Sequence, residues 1–505
     1  MGFRFLLFFL LNFVLLFSQT DAKKIIIGSK RFTESFILGE VAKQVLEKHG
    51  FDVEHRMGIG TVGMMWEALK NGDIDIYPDY DITLKEEILG SQKNLTFQEI
   101  RKGLDEFKID ITKYLGCWSG FALIMNKDEA EKRNIHSFED FRNNKDLLLG
   151  FTYEFINRRS GWNDLSDHYG LPKMNVKGVD HALGYVALKE RKIDVKDAFY
   201  TDPGIDDKDV VIIKDNREFL KPYHATYVFK QSLPPEAVAA LKTIENTLDN
   251  KQMLHMNKLA EDTGDIKWAA SQYFQKELLK YSAAEKYGNM IAYITALVTK
   301  HIVLVTLSML IAIAIGVPLG ILASKPGKMS SLILFFSGMI NTIPSIALLA
   351  LLAPFAVFSL GMKNALFVLF IYSLLPIIRN TSTGLQQIPE SIKESAQALG
   401  MSNANRLRKI YIPMATPAIM AGIKTSAVIN VGNATIAALI GVGGLGEPII
   451  VGLSLQRPEL VLQGAVPALF LALTVHFAFN YIDRLIIPRG LQPGLGNKQK
   501  TATTG

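Results

Sequence analysis

The sequence predicts a two-part molecule: a bilobed α/β domain followed by an all-α polytopic membrane domain with about five transmembrane helices. Three observations carry that expectation. Charge is dense up to about residue 287 and sparse afterwards. Before that point, short β-branched runs alternate with stretches of helical periodicity. After it come five apolar stretches, each long enough to cross a hydrocarbon core of roughly 30 Å. A chain of 505 residues also asks for two or more domains by length alone.

The N-terminus has the layout of an export signal. A lone Arg4 precedes an apolar core at 5–17, and small residues stand at Thr20 and Ala22. Residues 1–22 are therefore expected to be a signal peptide, cleaved after Ala22 or, as the alternative, kept as an anchor. Strands are expected at 25–27, 75–77, 121–125, 147–151 and 210–213, and helices at 34–49, 61–71, 181–190 and 235–248. Such alternation implies mainly parallel sheets with ligands at the carboxyl ends of strands. The segment 23–282 is large enough for two lobes with a cleft between them, and 283–298 reads as a linker.

Membrane spans are expected at 302–323, 332–353, 365–384, 416–440 and 460–481, within a domain at 299–488 followed by a tail at 489–505. The clean apolar part of the third stops at Ile378, before Arg379. Pro344 and Pro354 sit in or beside the second, where kinks are tolerated if neighbours satisfy the freed backbone groups. With the first domain outside, Lys325, Lys328, Arg379, Lys393, Arg406, Arg408, Lys409, Arg484, Arg489, Lys498 and Lys500 fall inside. Lys300, Lys363 and Arg457 fall outside, as the positive-inside rule requires. Lys424, just within the fourth span, is expected to snorkel to the inner surface.

Composition narrows the function classes. The formal charge of +6 is spread along the chain, with no basic block or basic-aromatic stripe, so no nucleic-acid surface is read. One cysteine, Cys117, cannot form a disulfide within the chain, and no ligand spacing suggests a metal. No Gly-x-x-x-x-Gly-Lys-[Ser/Thr] phosphate loop occurs, so the chain is not expected to hydrolyse ATP or to carry a cofactor of its own.

The run Glu394-Ser395-Ala396-Gln397-Ala398-Leu399-Gly400, followed by Ile410-Tyr411-Ile412-Pro413, closely resembles the EAA loop of importer-type ABC permeases. That loop is a cytoplasmic helix-turn-helix that couples to an ATPase. The resemblance points to Glu394, Ala396, Gly400, Ile410 and Pro413 as coupling residues. Around it, 306–322, 341–351 and 437–446 resemble the permease subunits of osmoprotectant ABC importers for glycine betaine, choline and carnitine. The first half resembles the substrate-binding proteins of the same importers at 28–34, 72–80, 154–161, 194–202 and Pro222-Tyr223. This implies a type II periplasmic-binding-protein-like domain fused ahead of its permease. It also implies a separate cytoplasmic ATPase that binds ATP and Mg, and a homodimer, since five spans make about half of an import path.

A trimethylammonium group cannot donate a hydrogen bond, so a protein recognises it by closing aromatic faces around it. The aromatics near predicted strand ends are Tyr80, Trp118, Phe121, Phe199, Tyr200 and Tyr223. The resemblance favours Tyr80, Phe121, Phe199 and Tyr223, with Trp118 close by. For a ligand carboxylate it implies Lys30, Thr83 and, from the opposite lobe, Arg158, with Arg159 as an alternative neighbour. Phe121 and Phe199 stand where the family usually has tyrosine, Ser119 where Asp or Asn is common, and Asp81-Ile82-Thr83 where Thr-Gly-Thr is usual. The trimethylated amino acid ergothioneine is therefore a second ligand reading. A ligand-gated channel or sensory receptor could also join such halves, but neither has use for an ATPase-coupling loop.

Overall fold

The computed structural model describes residues 24–91, 93, 95–158, 160–274, 283–352, 361–455, 457–488 and 491. The predicted export signal, Arg159 and nearly all of the tail lie outside the described residues. The first half forms two sheets. One lobe contains β1 (Ile25–Gly28), β2 (Val53–Arg56), β3 (Ile76–Tyr80), β4 (Ile109–Ile111), β5 (Trp118–Ser119) and β11 (Tyr223–Lys230). The other contains β6 (Phe121–Asn126), β7 (Leu148–Phe151), β8 (Asn175–Gly178), β9 (Val195–Phe199) and β10 (Val210–Ile213), in the order β10-β6-β9-β7-β8.

The sheets are mixed, where mainly parallel ones were expected. β1 pairs in parallel with β2 and β3, and β7 with β8 and β9. β11 runs antiparallel to β3, β4 and β5, and β6 antiparallel to β9 and β10. β6 and β11 are the first strands after the chain crosses from one lobe to the other, so each enters its new sheet against the local direction. The helix Thr33–Lys48 is buried on most sides because the helices Asn250–Thr263 and Ile266–Ser271 cover the flank that the sheet does not. The helix expected at 235–248 ends at Lys242 and gives way to turns.

The membrane half has four helices long and apolar enough to span, or five if a bent pair counts as one span, among the described residues. The predicted linker at 283–298 is helical, the first part of Ala283–Ala323. The second predicted span is the bent pair, Lys328–Ile340 and Ser345–Leu352, broken by 93° just before Ser345 at Pro344. The third continues past Arg379 to Gln386. The Lys424 ammonium bonds Asn480, near the end of the helix Pro458–Ile486. Close helix packing is secured by polar contacts suited to lipid. Asn430 Nδ2 donates to Ser308 Oγ at 2.7 Å, His301 Nε2 to the Val431 carbonyl at 2.9 Å, and Ser426 Oγ to the Ser373 carbonyl at 2.8 Å.

The α/β half sits on one end of this bundle. Lys300 pairs with Glu54 at 3.7 Å, and Gly60 N donates to the Leu439 carbonyl at 3.3 Å. Arg457 Nη1 donates to the carbonyls of Glu261 (3.3 Å) and Asp262 (2.6 Å), at the negative C-terminal end of Asn250–Thr263. Two of the three basic residues assigned to the outer side are thus the ones that touch the α/β half. The loop at 390–411 joins the far ends of Met362–Gln386 and Ile412–Ala434.

Candidate functional site

Strand register gathers the predicted rings at the crossing between lobes. Tyr80 ends β3, Tyr223 opens β11, Phe121 opens β6 and Phe199 ends β9. Phe121 and Phe199 are direct cross-strand partners, with centroids 5.0 Å apart. Phe121 meets Tyr223 edge-on at 5.9 Å, and Tyr223 lies 6.5 Å from Tyr80. The two crossing segments are tied by Tyr200 N to the Gly120 carbonyl at 3.1 Å and by Ser119 Oγ to Thr201 Oγ1 at 2.9 Å.

The rings have different roles. A cavity of about 1260 Å³ is lined by Phe32, Tyr80 and Phe199. Phe121 and Tyr223 are buried behind it, Phe121 packed on Phe155 at 4.7 Å. Trp118 is 37% exposed and leans on Tyr200 outside the lining.

The cations assigned to a ligand carboxylate stand apart from the cavity as well. The Lys30 ammonium bonds Asp79 Oδ1 at 2.7 Å and lies 5.5 Å from the Tyr80 centroid. Arg158 is buried where the lobes meet. It reaches Thr83 Oγ1 at 3.2 Å, Glu154 at 3.1 Å and Glu86 at 3.5 Å, with its guanidinium 4.7 Å from the Tyr223 ring. Ser160 Oγ adds a bond to Glu86 at 2.8 Å. Acidic neighbours therefore already neutralise both cations, which is why neither projects into open space.

What the cavity presents instead is acidic, and sequence reasoning missed it. Glu34, Asp202 and Glu261 line it with the rings. Tyr80 Oη donates to Glu34 Oε1 at 2.5 Å, and Asn257 Nδ2 to Glu34 Oε2 at 3.2 Å. Burial pushes the Glu34 carboxyl above its usual range, against hydrogen bonds from Thr201, Tyr80 and Asn257. Burial and then the neighbouring Asp202 push Glu261 up to about 8. Asp202 is also buried, but His181 at 3.0 Å and Lys196 hold it below the ordinary carboxylate range. Glu34 is the last residue of the 28–34 stretch, so a search for acids beside aromatic positions could have found it. Glu261, on a helix more than 200 residues away, carried no local signal.

The membrane half closes one side of the same cavity with Leu439, Ile450, Leu453 and Ser454. Three of these lie on the short helix Gly446–Ser454, held so close to the turn before it that a Cβ on Gly446 would come within 1.8 Å of the Thr435 carbonyl. At the far end of the bundle, Glu394 and Ala396 lie on the helix Glu390–Ala398, Ala396 buried and Glu394 exposed. Gly400 turns the chain with φ +68, and its N donates to the Gln397 carbonyl at 2.9 Å. Leu399 at the tip is 78% exposed. Ile410 and Pro413 are half-buried where a π-helical turn at Leu407–Tyr411 feeds Ile412–Ala434.

Known proteins resemble both halves. Residues 23–276 match the model of the substrate binding domain of ABC-type glycine betaine transport systems. Residues 316–489 match that of the inner membrane component of binding-protein-dependent transport systems. The glycine betaine/carnitine/choline transport system permease protein OpuCB of Bacillus subtilis (strain 168) is 37% identical over 193 residues, 38% of this chain and 88% of that protein. The osmoprotectant import permease protein OsmW of Salmonella typhimurium is 38% identical over 205 residues, 40% of this chain and 94% of its own. A solved glycine betaine/carnitine/choline ABC transporter chain superposes with a TM-score of 0.42 at 23% identity, covering 50% of this chain and 100% of that one.

Proposed function

Because the chain belongs to the ABC-type glycine betaine importer family, with substrate-binding domain and permease on one polypeptide, we propose that it captures a quaternary-ammonium solute and passes it inward. The observation that carries this is the placement of the two ends. The ring-lined cavity opens against the permease on one side, and the EAA-like loop with exposed Leu399 projects from the other. In this reading the binding domain lies outside the cell membrane and the loop inside. A cytoplasmic ATPase subunit, holding ATP and Mg, docks on Glu394 to Pro413 and switches the pore. A second copy of the chain completes the path, because the bundle has about half the spans such a path needs.

The ligand contacts belong to the same proposal. Tyr80 and Phe199 offer ring faces to the trimethylammonium group, with Phe121 and Tyr223 holding them in place. Relatives named for betaine, carnitine and choline transport favour these solutes over ergothioneine.

The test is ATP hydrolysis by the purified chain reconstituted with its ATPase partner in lipid vesicles. A trimethylammonium solute should stimulate hydrolysis and accumulate in step with it. Ligand-gated ion current without hydrolysis would instead establish a channel. Mass measurement of the detergent-extracted complex should give two copies of this chain per ATPase pair, and a single copy would count against the dimer.

A further inference from the structure

We propose that the cavity selects a quaternary ammonium alcohol, a cation whose polar end is a hydroxyl, over betaines whose polar end is a carboxylate. This rests on the quaternary-ammonium reading above and narrows it. The buried wall around Phe32, Tyr80 and Phe199 carries three carboxyl groups, Glu34, Asp202 and Glu261. The basic side chains along the lining, such as Arg31 and Lys127, are exposed at its outer parts, and His181 is bonded to Asp202.

The cations that the resemblance assigns to a ligand carboxylate, Lys30 and Arg158, lie outside the lining and are held by Asp79, Glu86 and Glu154. Once the ammonium end has drawn Glu34 and Glu261 toward their ionised forms, a betaine would bring its anionic end against these carboxylates and Asp202 in a desolvated space, where such juxtaposition is costly. A hydroxyl is a donor, and the wall is rich in acceptors. Thr33, Ser119 and Thr201 add hydroxyl oxygens to the carboxyl oxygens of the lining. The ammonium end gains both ring faces and acidic neighbours. A ligand cation also favours the ionised forms of Glu34 and Glu261, both of which burial disfavours.

The experiment is a titration of the full-length chain in lipid nanodiscs with choline, glycine betaine and carnitine, followed by tryptophan fluorescence and calorimetry. All four tryptophans, Trp66, Trp118, Trp162 and Trp268, lie in the binding half, so the signal reports that half. Choline should bind at least ten-fold more tightly than either carboxylate-bearing solute. Glu261→Gln should weaken choline at least five-fold while leaving glycine betaine unchanged or strengthened. Glu34→Gln provides a second variant should the first fail to fold. Glycine betaine binding as tightly as choline would overturn the proposal and leave the importer reading standing. So would a variant that weakens both solutes equally. Binding of no trimethylated solute would remove the quaternary-ammonium reading itself.

Discussion

The two halves of the molecule bury polar groups in opposite ways. The binding half buries charge in opposed pairs: Lys30 with Asp79 at 2.7 Å, His55 with Glu40 at 3.1 Å, Arg158 with Glu86 at 3.5 Å. The membrane half buries neutral polar side chains such as His301, Ser426 and Asn430, whose donors reach backbone carbonyls or a neighbouring hydroxyl, and turns Phe470 and Phe477 outward at 63% and 65% exposure. The difference follows from the solvent each half meets. A water-facing fold can hold a charge inside if an opposite charge accompanies it. In lipid, exposed rings cost nothing, and each buried donor must find a carbonyl inside the bundle.

The largest effect is expected at Gly400, in the loop proposed to receive the ATPase. Nothing lies within 4 Å of the place its Cβ would occupy, so a side chain there strains the φ of +68 and collides with nothing in this chain. That strain costs about 1–2 kcal/mol, too little to unfold a helix bundle. Gly400→Leu should nonetheless abolish transport while ligand binding to the full chain stays normal. Wild-type uptake by that variant would take the loop out of the mechanism.

The next effect is in stability and tests the paired-charge half directly. Asp79→Ala leaves the Lys30 ammonium buried alone and should destabilise the binding half by roughly 3–5 kcal/mol. Unfolding monitored by tryptophan fluorescence measures it, and an added Lys30→Met should recover most of the loss. If the single change costs under ~1 kcal/mol, the charges of this half are not coupled as the comparison holds.

A smaller, pH-dependent effect comes from Glu261, a buried acid without a compensating cation. Its carboxyl titrates at about 8 in the fold against about 4.5 ordinarily, so the folded state favours the protonated form. That contribution is fully present below about 4.5 and is lost as pH rises through about 8. Glu261→Gln cannot ionise, so its melting temperature should gain on wild type between pH 6 and pH 9. An unchanged difference across that range would mean that Glu261 is ionised at neutral pH.

The smallest effect is expected at the junction of the halves. Lys300 and Glu54 are half-exposed and 3.7 Å apart, a geometry worth under ~1 kcal/mol. Lys300→Gln should therefore leave melting and transport nearly unchanged. A large loss of uptake in this variant would show that the ion pair, and not backbone contacts such as Gly60 to Leu439, holds the two halves in register.

How much was legible in advance depended on how local the signal was. The strands at 25–27, 121–125 and 210–213 and the helices beginning near residues 33 and 181 rest on short-range periodicity, and they appear within a residue or so of expectation. Span positions likewise follow from runs of apolar residues. The stretch expected as a linker is helical: Glu285, Lys286 and Gly288 mark a change in composition at its start, but the helix runs on without a break into the first span. The 93° break at Pro344 was visible only as a proline, since sequence does not say whether a freed backbone group kinks a helix or ends it.

By itself the sequence determined the two-part architecture, the family of each half and the turn at Gly400, because composition, periodicity and contiguous motifs are properties of neighbouring residues. It also named the four rings that strand register gathers at the lobe crossing. Only the tertiary structure decided which rings face open space, that Lys30 and Arg158 are neutralised by Asp79, Glu86 and Glu154, and that Glu261 shares a wall with Glu34. Those facts depend on distances between residues far apart in the chain. Whether a charge is free to meet a ligand is set by what folding places beside it, and no local pattern records that.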